Sequence, residues 1–306
     1  MTDAALERAR EQILAAAKRP PVRVATFFDE PTFTATHVVY DPATRHGAIV
    51  DSVLNFDAAS GRTSTRGADA IVDYVKRESI TIDWLLETHA HADHLSAAPY
   101  LQAELGGKLA IGREIATVQN VFGKVFNFGT EFARDGSQFD HLFDDGETFA
   151  IGEIPAIALH APGHTPADVA YVIGDAAFVG DTLFMPDYGT ARADFPGGDA
   201  RALYRSIRRL MALPDATRLF LCHDYKAPGR DHYVWETTVG AERASNIHVH
   251  DGIGEDAFVE MRTRRDATLD LPHLILPSVQ VNVRGGRLPP PEDNGARYLK
   301  LPLDVF

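Results

Sequence analysis

The sequence predicts an α/β chain in which two β-rich halves, interspersed with helices, pack their sheets face to face and carry the helices outside. Three observations lead there. Short apolar runs of strand length cluster over residues 34–53 and again over 139–184, and segments with a helical apolar stripe lie between and after them. One apolar run, Ile80–Glu87, passes through a polar loop directly into a helical pattern, an order in which α/β enzymes commonly carry their chemistry. No GxGxxG follows the first strand and no GxxxxGK[ST] occurs, so a dinucleotide fold or a P-loop is not indicated. Periodicity by itself does not separate face-to-face sheets from other α/β layer orders.

Taken in order, the first seventeen residues read as an amphipathic helix with Leu6, Ile13 and Leu14 as core contacts, stopped by Pro20 and Pro21. Thr34–Tyr40 and Gly47–Val53 read as strands joined by a turn at Asp41-Pro42. Gly67–Glu78 is helical, because Ile71, Tyr74 and Val75 share a face; Ile80–Glu87 is a buried strand, and Ser96–Leu105 a helix. Glu114–Phe126 is a further helix, followed by a mobile Gly- and Phe-rich connection whose aromatics are read as packing in preference to a substrate lid. Thr148–Ile151, Ile154–Leu159, Val169–Ile173 and Ala176–Val179 are strands, with Gly152, Gly163 and Gly174 at their breaks and a hairpin turn at Gly174-Asp175. Asp199–Leu213 carries the stripe Leu203, Ile207, Leu210 and is ended by Pro214. Arg218–Cys222 is a short strand, the last third adds helical stretches, and a Pro/Gly-rich tail runs from Pro277 to Pro291. Residues 1–306 are expected to form one domain, with its core at about 20–250 and a C-terminal extension that the core motif does not need.

Composition narrows the function. Of 306 residues, 30 are Lys or Arg and 43 are Asp or Glu, a formal charge of −13 that repels phosphate and argues against nucleic acid or an anionic membrane as partner. No apolar run reaches membrane-spanning length, and the charged N-terminus lacks a signal-peptide core, so a cytoplasmic location is expected. The single cysteine, Cys222, excludes an intrachain disulfide or a Cys-rich metal site and reads as a buried structural thiol. The oligomeric state stays open, a homodimer included.

The chemistry is carried by His89-Ala90-His91-Ala92-Asp93-His94. On a regular helix or strand these side chains cannot all point one way, but in a loop at a strand end they converge, which metal ligation requires. His164 in APGHT, Asp181 in VGDT and His223 in LFLCHDY each follow a short apolar run in the same manner. Imidazole and carboxylate donors without thiolate suit iron, zinc or manganese. His37, His46, His141, His232, His248, His250 and His273 lack that setting and are read as surface or hydrogen-bonded histidines.

The ordered set HAHADH, APGHT, GDTLF and CHDY resembles the metallo-β-lactamase superfamily over roughly residues 20–250, which implies a four-layer αββα sandwich with a metal centre at the loop edge between the sheets. GDTLF with the later Asp194-Phe195 pair, CHDY and the downstream GAERASN resemble the persulfide dioxygenase group and its glyoxalase II relatives. The first resemblance implies an iron-dependent enzyme that oxidises glutathione persulfide with O2 to sulfite and glutathione. Its one Fe(II) per chain would be held by His89, His164 and Asp181, the 2-His-1-carboxylate pattern that leaves open positions for substrate. His91, Asp93, His94 and His223 would then lie outside the ligand set and orient it.

The second resemblance implies a dinuclear thioesterase or related hydrolase. There two Zn(II) would divide His89, His91, His164 from Asp93, His94, His223, with Asp181 bridging. A metal-stabilised binding protein without turnover is the remaining class. The stretch 184–195 is longer than the compact loop of animal-type persulfide dioxygenases and resembles a bacterial branch. For an anionic tripeptide thiol the resemblance places Arg243 at a carboxylate-binding position; Tyr225, Lys226, Arg192 and Tyr188 are the other candidate contacts.

Overall fold

The computed structural model describes residues 3–305. Helix α1 (Ala4–Ala16) starts at Asp3, whose carboxylate accepts the Leu6 amide at 3.0 Å; the two preceding residues of the expected helix lie outside the described residues. Its inner face is built from Ala5, Ala9 and Ile13, while Leu14 is 57% exposed and so is not a core contact. The alanines bring the helix backbone close to the strands, and Leu14 turns to solvent.

Strands β1 (Arg23–Asp29), β2 (Thr34–Tyr40) and β3 (His46–Val50) run antiparallel. The first of them has no strong alternation, so the sequence does not announce it. The expected strand Gly47–Val53 is two, because Asp51 takes a left-handed φ of 53° and redirects the chain into β4 (Val53–Asp57) and β5 (Arg62–Ser64). Helix α2 (Arg66–Arg77) crosses to β6 (Thr81–Leu86), parallel to β3; β7 (Leu95–Ser96) pairs with β4 beyond the histidine-rich loop. Helix α3 (Ala98–Leu105), β8 (Lys108–Gly112), α4 (Ile115–Val125) and β9 (His141–Phe143) complete the first sheet, in the order β1-β2-β3-β6-β8-β9. Phe126, Phe128 and Phe132 of the connection after α4 are buried in the core, as packing and not as a lid.

The second half repeats the plan. β10 (Thr148–Ile151), β11 (Ile154–His160), β12 (Val169–Ile173) and β13 (Ala176–Phe178) form a meander whose last turn is Gly174-Asp175, with Ile173 opposite Ala176. Helix α5 (Ala200–Leu210) is capped by Asp199, which accepts the Arg201 and Ala202 amides, and it buries Leu203, Ile207 and Leu210. It ends three residues before the expected Leu213, well ahead of Pro214. The crossover makes β14 (Arg218–Phe220) parallel to β13, and β15 (Glu236–Thr238) closes the sheet. Helices α6 (Val239–Ser245), α7 (Glu255–Asp266) and α8 (Ile275–Asn282) follow. Pro277 thus lies inside α8 and does not begin the tail; it occupies the first turn, where a missing N–H costs nothing.

Three apolar clusters define four layers. Val39, Val50, Leu86 and Ala110 of the first sheet meet Ala156, Tyr171, Ile173 and Phe178 of the second. The outer face of the first sheet packs on α2, α3, α4 and α8, and that of the second on α1, α5 and α7. This is the αββα sandwich of the metallo-β-lactamase type. Every residue of β2 is buried because both its faces are covered. Among the described residues no helix is long and apolar enough to cross a membrane.

Candidate metal centre

Loops at one edge of the two sheets carry all seven candidate ligands. His89, His91, Asp93 and His94 occupy the loop after β6, His164 the β11–β12 turn, Asp181 the chain just after β13, and His223 the chain just after β14. Two glycines allow the approach. A Cβ on Gly163 (φ 145°) would lie 2.2 Å from the Leu203 backbone, so only glycine seats the His164 turn on α5. A Cβ on Gly180 (φ 53°) would meet Thr88 Oγ1 at 2.5 Å, and that hydroxyl is the partner of His89.

The side chains converge. Asp181 Oδ2 lies 3.5 Å from His164 Nε2 and 3.8 Å from His89 Nε2, while its Oδ1 lies 3.3 Å from His223 Nε2. His223 Nε2 is 3.1 Å from Asp93 Oδ2, and the His91 and His94 ring centroids are 4.2 Å apart. His89, His164 and Asp181 form one compact set of ligand atoms and His91, Asp93, His94 and His223 another, and the sets overlap: Asp181 also lies close to His223 and Cys222, and His91 to Asp51 and Cys222.

Hydrogen bonding tests whether these groups fit a metal. His89 Nε2, His91 Nδ1, His94 Nε2, His223 Nε2 and Asp181 Oδ1 are buried and make no hydrogen bond, a costly arrangement unless a cation takes their lone pairs. The opposite nitrogen of every imidazole is held. Thr88 Oγ1 meets His89 Nδ1 at 3.0 Å, Asp51 Oδ1 meets His91 Nε2 at 3.0 Å, and the Arg192 carbonyl meets His164 Nδ1 at 2.8 Å. Thr34 Oγ1 meets His94 Nδ1 at 3.3 Å and the Phe33 carbonyl meets His223 Nδ1 at 3.1 Å. Oriented imidazoles with one bare nitrogen each are the donor set of a metal site. The residues present fit one or two divalent ions.

Charge favours neutral imidazoles at two of these positions. Burial, then the neighbouring imidazoles, drive the His89 pKa well below its ordinary value, and burial followed by His91 lowers that of His94. Burial opposes a charge on His91 too, yet Asp51 and Glu87 against its Nε2 carry its pKa well above the usual value. Asp93 is held low against burial by His223 and His94. Burial pushes the Cys222 thiol far up, so it is a neutral buried group, as its apolar strand suggested.

A cavity of about 360 Å³ opens onto the centre at Asp93, His164 and Asp181. Phe184, Tyr188, Phe195 and Tyr225 wall it. Of the expected substrate contacts, Tyr188, Tyr225 and Arg192 line it, but Arg192 is already engaged by Asp194 at 2.6 Å and by the Asp270 carbonyl. Arg243 and Lys226 do not reach it. The Arg243 guanidinium is bound by Asp215 and Asp251 on the outer surface, and Lys226 Nζ sits over the Tyr233 ring at 4.4 Å. The GAERASN run serves the wall instead through Asn246, which donates to the Gly189 carbonyl at 3.0 Å. Farther along the same loop, Arg262 donates to the Thr190 carbonyl at 3.1 Å, and Asp266 accepts the Ala193 amide.

Several residues of the site escaped the sequence pattern. Arg265 and His273 line the cavity, and the Arg265 guanidinium has no hydrogen-bond or ion-pair partner among the described residues. Asp51 and Glu87 hold His91, and Asn282 holds the loop. Only Glu87 left a trace in the sequence, as a carboxylate ending an apolar run beside the histidines. The C-terminal extension beyond about 250, which the core motif does not need, still contributes to the site: Arg265 and His273 line the cavity and Asn282 touches the ligand loop.

The sequence profile of the Metallo-beta-lactamase superfamily matches residues 37–223, and the chain belongs to that superfamily. It is 57% identical to a probable metallo-hydrolase of Burkholderia pseudomallei, covering 92% of this chain and 99% of that one. It is 46% identical to glyoxylase B2 of Dictyostelium discoideum over 93% of this chain and 98% of the other. Similarity extends at 28% identity to the mitochondrial persulfide dioxygenase ETHE1 of Bos taurus, covering 89% and 91% of the two chains. Among solved structures, ETHE1 from Myxococcus xanthus superposes with a TM-score of 0.69 at 26% identity, covering 87% of this chain and all of that one.

Proposed function

We propose that this protein is a persulfide dioxygenase that converts glutathione persulfide, O2 and water into glutathione and sulfite, with one Fe(II) held by His89, His164 and Asp181. The observation that carries this reading is the convergence of those three residues as a 2-His-1-carboxylate set beside a walled cavity. The full-length likeness to ETHE1 of Myxococcus xanthus supports it. When bound, Fe(II) supplies open coordination positions and the redox capacity for oxygen chemistry at sulfur. The chain's part is positioning. Thr88 and the Arg192 carbonyl fix the rotation of His89 and His164. Phe184, Tyr188 and Tyr225 present an aromatic wall to the inner cavity, and the unpaired Arg265 offers its fork to a carboxylate of the substrate.

A dinuclear thioesterase is the second reading, favoured by the likeness to the probable metallo-hydrolase of Burkholderia pseudomallei and to glyoxylase B2, at higher identity than ETHE1, and by Asp181, which turns its two oxygens to the two ligand groups in the manner of a bridge. Metal counting and product analysis separate them. One iron per chain with O2 uptake and sulfite release is expected; two zinc ions with oxygen-independent thioester hydrolysis would replace the dioxygenase reading.

Loss of Arg265 is expected to raise the half-saturating concentration of glutathione persulfide roughly tenfold, the scale of one charge-assisted contact at a partly exposed rim. Arg243→Ala, remote from the cavity, is expected to leave it unchanged. Saturation curves of O2 uptake for both variants check this, and equal behaviour of the two would remove Arg265 as the anchor.

A further inference from the structure

We propose that Asn282, at the end of α8, is a positioning residue for the metal centre, acting through the backbone of the ligand loop. The residue is 4% exposed, and all its side-chain hydrogen bonds go to one short segment. Nδ2 donates to the carbonyl of His91 at 2.8 Å and to that of His94 at 2.7 Å, and Oδ1 accepts the Ser96 amide at 2.9 Å. One planar amide thereby fixes the separation of two ligand-bearing residues and the point where the loop enters β7.

A second path leads from the same amide to an imidazole. Ser96, held by Asn282, donates its hydroxyl to Glu87 Oε1 at 2.5 Å, and Glu87 Oε2 lies 3.3 Å from His91 Nε2. Asn282 therefore braces His91 at its carbonyl directly and, through Ser96, places the Glu87 carboxylate whose charge faces the His91 ring. The HAHADH run has no side chain of its own that closes these bonds, and Ala90 and Ala92 leave the backbone free to bend. Val279 and Val283 bury α8 in the core and keep the amide in register. The residue lies far outside the stretch 37–223 that matches the superfamily, so in this chain the ligand loop is completed by a C-terminal helix.

The role is independent of which metal binds or how many. Its test uses the full chain with Zn(II) competed against a chromophoric chelator, and Co(II) substitution read by visible absorption. In Asn282→Asp, which keeps the shape but turns the two donors into acceptors facing carbonyls, metal affinity is expected to fall about 10- to 100-fold, the range for residues that orient ligands. The cobalt spectrum is expected to change with it. Asn282→Ser, small and neutral, is expected to shift both in the same direction and supplies a second folded variant. Val283→Ala, at the C-cap of the same helix, cuts packing while leaving the hydrogen-bonding amide of Asn282 in place; it is expected to lower the melting temperature and leave affinity and spectrum as in the parent. Wild-type affinity and spectrum in the Asn282 variants would overturn the proposal. An equal loss of affinity in Val283→Ala would overturn it as well, by tracing the effect to general loosening of α8.

Discussion

Replacing Asp181 with alanine is expected to cost more than about 100-fold in metal affinity, beyond the 10- to 100-fold typical of residues that only orient ligands. Turnover is expected to fall with it. Asp181 faces both ligand groups, with Oδ2 3.5 Å from His164 and Oδ1 3.3 Å from His223. Without it the first group loses its carboxylate, the second loses the oxygen that faces His223, and the buried imidazoles face each other with less compensating charge. The fold itself should hold. Asp181 Oδ1 makes no hydrogen bond, so its removal strands no partner in the core, and the metal-free melting temperature is expected to move by no more than about 4 °C. Metal analysis together with calorimetry of the metal-free variant checks both halves. Retained metal and turnover would take Asp181 out of the site, and a collapse of the melting temperature would assign it to the core.

His223→Ala is expected to have the opposite signature. In the proposed dioxygenase His223 lies outside the iron ligands, so one iron per chain is expected to remain. Its ring stacks on Tyr225 at 5.7 Å and its Nδ1 meets the Phe33 carbonyl, so the truncation opens the cavity wall beside the substrate. A fall in turnover at full iron content is the expected result, of roughly 10- to 100-fold by analogy with other residues that support ligands. In a dinuclear hydrolase the same substitution removes a ligand and takes one of two metals with it. Metal content of oxygen-protected protein, measured beside O2 uptake, distinguishes the two; loss of half the bound metal would refute the mononuclear assignment.

The differences between expected and observed structure follow one physical pattern. The positions of β2, β3, β6, β10 to β13 and β14 are legible because apolar runs bounded by Gly, Pro and Asp report local backbone preference, whereas β4, β5, β7, β8 and β9 are short and unmarked. The stripe of α5 is legible for the same reason, while its last turn is not, since helix ends depend on tertiary contacts. Arg243 stands away from the cavity because its charge does not reveal its partners. Asp215 and Asp251 claim it on the outside, whereas Arg265, in an unremarkable run of basic residues, is left free at the cavity.

What the sequence alone determined was the inventory of candidate ligands and its placement: HAHADH, GHT, GDT and CHDY each follow an apolar run, and a residue just past a strand stands at a sheet edge whatever the rest of the chain does. Only the tertiary structure decided what holds those ligands in place. Asp51 reaches His91 across 40 positions, Thr34 reaches His94 across 60, and Asn282 reaches the His94 carbonyl across 188. Periodicity reports which face of an element is buried, but a hydrogen bond between distant segments depends on how whole layers stack, and no local pattern encodes that stacking.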